Sequence, residues 1–168
     1  NIYQPINPIT TYAKSKVSGE KFFSQNKENL HIVRSTNIFG KSQINKFTKY
    51  GESHVIPDIL HKIEQDPEVV EVWGDGTQVR NFIHVKDLCR YLVGLIDDSS
   101  RLMYHNICSS ITIKISELIE ELLNFLGEKR RIIYSDSYMQ YEKMRIDQFI
   151  KDLKNIGTIS TVKEGLLV

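Results

Sequence analysis

The sequence predicts an α/β fold, because short apolar runs typical of strands alternate with longer stretches typical of helices. Leu30–Arg34 and Val69–Trp73 are short and rich in apolar residues, as buried strands are. Ile115–Leu126 repeats its apolar residues at helical spacing and is followed by Gly127, a residue that often ends helices. Residues 1–168 are therefore interpreted as a single region long enough to bury a sizeable core.

The other elements are predicted in chain order from turn, cap and breaker residues. Asn1–Ile9 contains two prolines and is predicted to be a loop, after which Thr10 or Thr11 can cap a helix that runs to about residue 26. Lys41–Glu52 is polar, and a loop of this length is more typical of binding than of architecture. The elements predicted further on are a helix capped by Ser53 and ending at Gln65, a turn at Gly74–Gly76 with an exit over Val79–His84, a helix from Val85 to about Ile96, strands at Met103–Cys108 and Ile132–Tyr134, and a helix from Asp147 to about Lys154.

Composition and charge narrow the class of protein. Hydrophobic residues make up 40% of the chain and charged residues 26%, and the formal net charge is +1, so electrostatics favour neither a nucleic-acid nor an acidic-membrane partner. No apolar run approaches ~18 residues and no signal peptide is visible. Cys89 and Cys108 lie in apolar contexts, which predicts buried thiols in a reducing, cytoplasmic compartment. The chain starts with Asn1 rather than Met, and we expect it to be part of a longer protein.

The first chemical signal is the stretch Thr11–Lys16, with Gly19 and Glu20 behind it. Tyr12 and Lys16 are four residues apart, which places both side chains on one face of a helix. An ammonium close to a tyrosine stabilises the phenolate, so the pair can exchange a proton with a substrate hydroxyl or carbonyl. Taken alone, the spacing favours the alternative of a solvated lysine beside a half-buried tyrosine, and the motifs further along the chain are what favour the catalytic interpretation.

Six stretches in this order resemble the C-terminal half of the extended short-chain dehydrogenase/reductase family, the sugar-nucleotide epimerases, dehydratases and reductases. They are Pro8–Lys16 with Gly19–Glu20, Arg34–Gly40, Ser53–Pro57, Val72–Gly76, Arg80–Leu88 and Arg145–Asp147. The resemblance spans essentially the whole chain and implies the end of a Rossmann-type fold followed by a small substrate-binding lobe. Ser53–Pro57 followed by Val72–Gly76 is most similar to members that act on a GDP-sugar.

The resemblance implies three catalytic residues. Tyr12 would be the acid/base for the C4 oxygen of the sugar, and Lys16 would support it and hold the nicotinamide ribose. His54 would reprotonate the sugar ring during epimerisation, a task that suits an imidazole near neutral pH. The alternative for His54 is a capping bond at the start of a helix. We expect these three side chains to share a cleft with Asn37.

The resemblance also implies residues that bind the cofactor and the substrate. Beside the catalytic three, the cofactor would contact Ser35, Asn37 and Ile38. The nucleotide diphosphate or the sugar would contact Asn37, Lys62, Trp73, Arg80 and Arg145. The alternative is an ordinary surface cation for Lys62 and Arg80, and a strand-end aromatic packed on the core for Trp73.

Several positions depart from the family pattern or lie outside the chain. Ser35 stands where the family often has proline, Asn81 replaces the usual acid, and Asp87 matches a structural acid to which we assign no chemical role. No Gly-x-Gly-x-x-Gly motif is present in the sequence, so most of the site for NADP or NAD is expected outside this chain. The N-terminal dinucleotide-binding half is therefore predicted to be absent, and the isolated chain to bind NADP(H) poorly.

Three functional interpretations stay open from the sequence. The first is the C-terminal part of an NAD(P)-dependent sugar-nucleotide epimerase/reductase, inactive alone. The second is a UDP- or dTDP-sugar 4-epimerase or dehydratase, and the third is a sugar-nucleotide-binding module without catalysis. By analogy with the family, a homodimer is expected through the helix that bears Tyr12 and its neighbour.

Overall fold

The computed structural model describes residues 8, 10–25, 29–40, 54–99 and 102–135, and the backbone of 154–155. Within these ranges helices and strands alternate, which confirms the predicted α/β class. The elements are α1 (Thr11–Ser24), β1 (His31–Ser35), β2 (Asn37–Phe39), α2 (Val55–Gln65), β3 (Val69–Trp73), β4 (Val79–His84), α3 (Val85–Val93), β5 (Met103–Cys108), β6 (Ile111–Lys114), α4 (Ile115–Leu126), β7 (Arg131–Ser135) and β8 (Lys154–Asn155).

The described strands form three small sheets. β5 lies between β1 and β8 and runs parallel to both. β4 lies between β2, to which it is parallel, and β6, to which it is antiparallel. β3 and β7 form a parallel pair. Parallel neighbours need a long crossover connection, and in this chain helices supply part of each crossover between β1 and β5 and between β3 and β7.

The main hydrophobic core lies around α4 and α2. Leu118, Ile119 and Leu122 of α4 are at most 1% exposed, and they cluster with buried side chains of α2, β3 and β4. Their spacing of three and four residues puts them on one helix face, and Gly127 ends the helix in a left-handed conformation with φ of 70°. The apolar residues whose helical spacing predicted α4 are therefore the same residues that it buries in the core.

Several strands lie where the sequence predicted none. Val79–His84 was expected to lead out of a turn, but it forms β4 with partners on both sides. Those partners are the unpredicted strands β2 and β6, which have only three and four residues. Segments this short carry little periodic signal, and pairing with β4 makes them strands.

Two helix predictions are wrong at their ends. α3 stops at Val93 instead of about Ile96, because Leu95 and Ile96 donate to carbonyls only three residues back, which marks tight turns. Lys154 was predicted at the end of a helix but lies in β8. The rest of that predicted helix and the loop 41–52 lie outside the described residues. Ser53 was predicted to cap α2, but the N-cap residue of that helix is His54.

The cysteine prediction is right for one thiol and wrong for the other. Cys108 is buried on β5, and burial raises the pKa of its thiol. Cys89 is exposed. It lies on α3, where Asp87 is the buried residue, so the apolar neighbours of Cys89 in the sequence do not enclose it.

Candidate active site

Tyr12 and Lys16 lie side by side on α1, as their spacing predicted. The Lys16 ammonium is 5.2 Å from the centre of the Tyr12 ring, and Tyr12 is 69% exposed. Thr10 caps the helix by accepting a hydrogen bond of 3.1 Å from the Ala13 amide. The first turn of α1 thus presents a phenol and an ammonium together at the surface.

An ion pair connects α1 to the strand that follows it. Arg34 of β1 donates two hydrogen bonds to the Glu20 carboxylate, with Nε···Oε1 at 2.9 Å and Nη2···Oε2 at 2.6 Å. The hydrogen bond to Glu20 is the main cause that raises the pKa of Arg34, which also lies 5.2 Å from the Tyr104 ring of β5. Because α1 has no fully buried side chain among its described residues, this bidentate contact has a large share in fixing α1 on β1.

We expect Glu20→Gln to lower the free energy of unfolding by about 1.5–3 kcal/mol, the range for hydrogen bonds to charged groups. Urea unfolding of the chain measures it, with the exposed Glu64→Gln on α2 as the matched control. A double-mutant cycle with Arg34→Met measures the coupling energy between Glu20 and Arg34. A coupling energy near zero would contradict the structural importance of this contact.

The predicted cofactor residues Ser35, Asn37 and Ile38 follow one another at the end of β1 and in β2. All three are exposed. The Asn37 amide nitrogen donates a hydrogen bond of 2.9 Å to the Asn81 carbonyl, so its oxygen is the atom left to accept from another group. In open parallel sheets ligands bind beyond the carboxyl ends of strands, and these residues occupy such an end of β1.

A buried polar network lies beneath Asn37. Asn81 is 2% exposed, and its amide nitrogen donates to the Ser109 carbonyl and the Thr112 hydroxyl, both at 2.9 Å. Its side-chain oxygen accepts from the Thr36 hydroxyl at 2.7 Å and from the Ser109 amide at 3.3 Å. Asn81 therefore joins the segment after β1 to the segment between β5 and β6.

We expect Asn81→Asp to lower the free energy of unfolding by about 1–3 kcal/mol at neutral pH. The substitution turns a donor into an oxygen that faces the Ser109 carbonyl, so two acceptors meet in a buried site. Thermal and urea unfolding measure the change. The exposed Asn124→Asp serves as control and should shift stability by less than about 0.5 kcal/mol. An Asn81→Asp variant as stable as the parent would show that the network tolerates the acid that the family resemblance implies at this position.

Lys62 and Trp73 lie together, as the substrate-site prediction requires. Lys62 is 5% exposed, and its ammonium is 4.5 Å from the centre of the Trp73 ring. The same ammonium forms an ion pair of 3.0 Å with the Asp58 carboxylate one turn earlier on α2. The Lys62 charge is thus compensated within the chain.

Unlike Lys62, Arg80 is held by hydrogen bonds to uncharged oxygens. Its Nη1 donates to the Val79 carbonyl at 3.0 Å and its Nη2 to the Gln78 side-chain oxygen at 2.8 Å. Both acceptors are neutral, and burial lowers the pKa of Arg80. Among the described residues, no carboxylate lies within ion-pair distance of this guanidinium.

The remaining predicted site residues are only partly tested by the geometry. His54 is the N-cap residue of α2 and is exposed, and its side chain makes no capping bond to the described backbone of that helix. The capping alternative for His54 is therefore wrong. No hydrogen bond or ion pair joins His54 to Tyr12 or Asn37 within the described ranges, and their shared cleft stays a prediction. Arg145 lies outside the described residues.

The described part of the chain holds neither a metal-binding cluster nor a membrane-spanning helix. No group of three or more histidine, cysteine, aspartate or glutamate side chains is arranged there to hold a metal ion. None of the helices in the described ranges is both long and apolar enough to cross a bilayer.

The model of the NAD dependent epimerase/dehydratase family matches residues 1–107. The chain belongs to this family. This result confirms the broader of the two resemblances drawn from the motifs, and it agrees with the Rossmann-like α/β fold.

Individual relatives of this epimerase/dehydratase chain differ in their named activities. The dTDP-4-dehydro-6-deoxy-D-allose reductase of Streptomyces bikiniensis is 33% identical over 127 residues, which cover 72% of this chain and 37% of that protein. The GDP-L-fucose synthase of Sinorhizobium fredii is 30% identical over 142 residues, which cover 79% of this chain and 44% of that protein. The chain thus spans less than half the length of these relatives.

The fold of this chain is similar to that of a solved structure. The UDP-glucose 4-epimerase of Thermotoga maritima, whose structure contains UDP-glucose, superposes with a TM-score of 0.74 at 20% identity. The match covers 95% of this chain and 52% of that protein.

Sequence reasoning did not predict the contacts of three polar side chains in this family member's candidate site. Asp58 precedes Lys62 by four residues on a helix, a spacing that could have indicated the pair. Gln78 precedes Arg80 by two residues, which puts both on one side of an extended segment. The contacts of Asn81 join residues 28 and 45 positions away, and its role could not have been found from spacing.

Proposed function

We propose that this chain is the C-terminal portion of an NADP-dependent GDP-L-fucose synthase, which epimerises and then reduces GDP-4-keto-6-deoxymannose. The observation that carries its catalytic part is the exposed pair of Tyr12 and Lys16, with the ammonium 5.2 Å from the ring. The choice of a GDP-sugar rests on the resemblance of Ser53–Pro57 and Val72–Gly76 to members that act on one. The relatives of the chain include a GDP-L-fucose synthase at 30% identity. The isolated 168 residues are expected to be inactive, because most of the cofactor site would lie in the rest of the longer protein.

In this proposal each residue has a defined task. His54, exposed at the start of α2, would reprotonate the sugar ring after a base in the rest of the longer protein has taken the proton next to the keto group. Tyr12 gives its phenolic proton to the C4 oxygen during reduction, and Lys16 stabilises the phenolate that results. Bound NADPH supplies the hydride.

Of the predicted binding residues, one group would contact the cofactor and another would contact the substrate. Ser35, Asn37 and Ile38 fit one edge of a dinucleotide site, because they are exposed at the carboxyl end of a parallel strand. Lys62, Trp73, Arg80 and Arg145 would hold the nucleotide diphosphate and the sugar. An arginine suits a diphosphate because its planar guanidinium can donate two parallel hydrogen bonds.

Turnover by the longer protein tests the function. The gene is extended upstream, the product is purified, and NADPH oxidation is followed with GDP-4-keto-6-deoxymannose while NMR identifies the sugar formed. We expect GDP-L-fucose. Turnover of only dTDP- or UDP-sugars would favour a dTDP-sugar reductase, such as the relative at 33% identity, or a UDP-sugar 4-epimerase or dehydratase. Sugar-nucleotide binding without turnover would favour the non-catalytic module.

The proposal includes a homodimer formed through α1 and a neighbouring helix. Phe22 and Phe23 support it, since they are 65% and 58% exposed and meet edge to face with ring centres 5.4 Å apart. Apolar side chains exposed together commonly mark an interface. We expect the longer protein to sediment as a dimer and a Phe22→Ser, Phe23→Ser variant to sediment as a monomer. A dimer that survives both substitutions would contradict the use of α1.

A further inference from the structure

We propose that Gln78 is a positioning residue that orients Arg80 toward a diphosphate group while leaving the guanidinium charge uncompensated. The inference rests on the proposed function, because it takes a nucleoside diphosphate as the ligand. It adds a residue that lies outside the motifs of the family resemblance, and it distinguishes the two cations expected at this site.

The acceptors of Arg80 are its distinguishing feature. Three other arginines pair with carboxylates: Arg34 with Glu20, Arg90 with Asp87 and Arg130 with Glu128. The guanidinium of Arg80 instead contacts the Gln78 amide oxygen and the Val79 carbonyl. These contacts fix its plane, but they contribute no formal negative charge. Since Arg80 is half-buried and an arginine stays protonated in proteins, it keeps a partly desolvated positive charge.

Gln78 itself is fixed by the backbone around it. Its carbonyl accepts a hydrogen bond of 2.9 Å from the Ile115 amide, and the Gly76 carbonyl accepts one of 3.0 Å from Ser116, both in the first turn of α4. Gly74 has φ of 86°, and a Cβ atom there would lie 3.0 Å from the Gln78 side-chain nitrogen. The amide of Gln78 is therefore packed over a glycine turn that is anchored to a helix of the core, which suits a group that holds another side chain in place.

Lys62 provides the contrast within the same candidate site. Its ammonium already has a carboxylate partner, Asp58, at 3.0 Å, and it lies over the Trp73 ring. An incoming diphosphate would have to share that ammonium with Asp58. At Arg80 the ligand would supply the negative charge that the chain does not, so Arg80 should contribute more to the binding of an anion.

The experiment compares Gln78→Glu with Gln78→Met in the 168-residue chain, using calorimetry with GDP and with inorganic pyrophosphate. Gln78→Glu places a carboxylate about where the 2.8 Å contact now lies and compensates the guanidinium. We expect it to weaken GDP binding by at least about tenfold without lowering the thermal midpoint, and to flatten the salt dependence of binding. Gln78→Met keeps the size but loses the acceptor, and we expect a smaller loss, on the order of threefold. Gln25→Glu, the same chemical change at the exposed end of α1, should leave binding unchanged.

Each result decides the inference separately from the proposed function. If Gln78→Glu binds GDP as tightly as the parent chain, or if Gln78→Met loses as much as Gln78→Glu, charge compensation plays no part and the inference is wrong. If the parent chain binds neither probe, the inference is also wrong. Turnover of GDP-4-keto-6-deoxymannose by the longer protein still tests the proposed function in either case.

Discussion

Tyr12→Phe in the longer, cofactor-binding protein should lower kcat by about 10²–10⁴-fold, the usual contribution of a general acid or base, with little change in KM. Phenylalanine keeps the ring that lies 5.2 Å from Lys16 on α1 and removes only the hydroxyl that would carry the proton. Because Tyr12 is 69% exposed within the described structure, the substitution should not alter folding. Steady-state kinetics with GDP-4-keto-6-deoxymannose and NADPH measure the effect.

A second tyrosine provides the control for this substitution. Tyr134 is exposed on β7, and Tyr134→Phe removes a hydroxyl to which we assign no role in proton transfer. It should keep kcat within about twofold of the parent, and both variants should unfold within about 0.5 kcal/mol of it, as surface substitutions do. Near-full turnover by Tyr12→Phe would show that the family's catalytic pair does not map onto these residues.

The parts of the fold that the sequence predicted are those in which local periodicity and burial agree. α4 is an example, since its apolar residues recur at three and four positions and the same residues form the core. β2 and β6 escaped prediction because they are short and owe their strand conformation to β4, which lies far away in the sequence. Exposed Cys89 shows the reverse error, in which apolar neighbours along the chain were taken for neighbours in space.

In the candidate site too, some contacts could be predicted from the sequence and others could not. The contact between Tyr12 and Lys16 follows from helix geometry and was predictable. The contact between Lys62 and Trp73 joins a helix to a strand, and the family resemblance, not spacing, placed both in one site. The sequence could not predict that the hydrogen-bond partners of Arg80 are neutral. An arginine at this position could equally well have paired with a carboxylate.

These partners make Arg80→Ala the second large effect that we expect. In the longer protein it should raise KM for the sugar nucleotide by about tenfold to a hundredfold with little change in kcat. A diphosphate keeps its charge through the reaction, so a contact to it acts about equally on the ground state and the transition state. One charge-assisted hydrogen bond is worth roughly 1.5–3 kcal/mol, which corresponds to that range of affinity. Steady-state kinetics over a range of GDP-4-keto-6-deoxymannose concentrations separate KM from kcat.

Lys62→Met is the matched comparison, because it removes the other cation expected at the diphosphate. Asp58 already compensates the Lys62 ammonium at 3.0 Å, so the rise in KM should be smaller than for Arg80→Ala, provided that unfolding shows the variant to be folded. The additional double variant Asp58→Asn, Lys62→Met removes both charges and avoids leaving a buried carboxylate alone. If Lys62→Met raises KM more than Arg80→Ala, or if Arg80→Ala leaves KM unchanged, the diphosphate does not rely on Arg80 and the assignment of that residue is wrong.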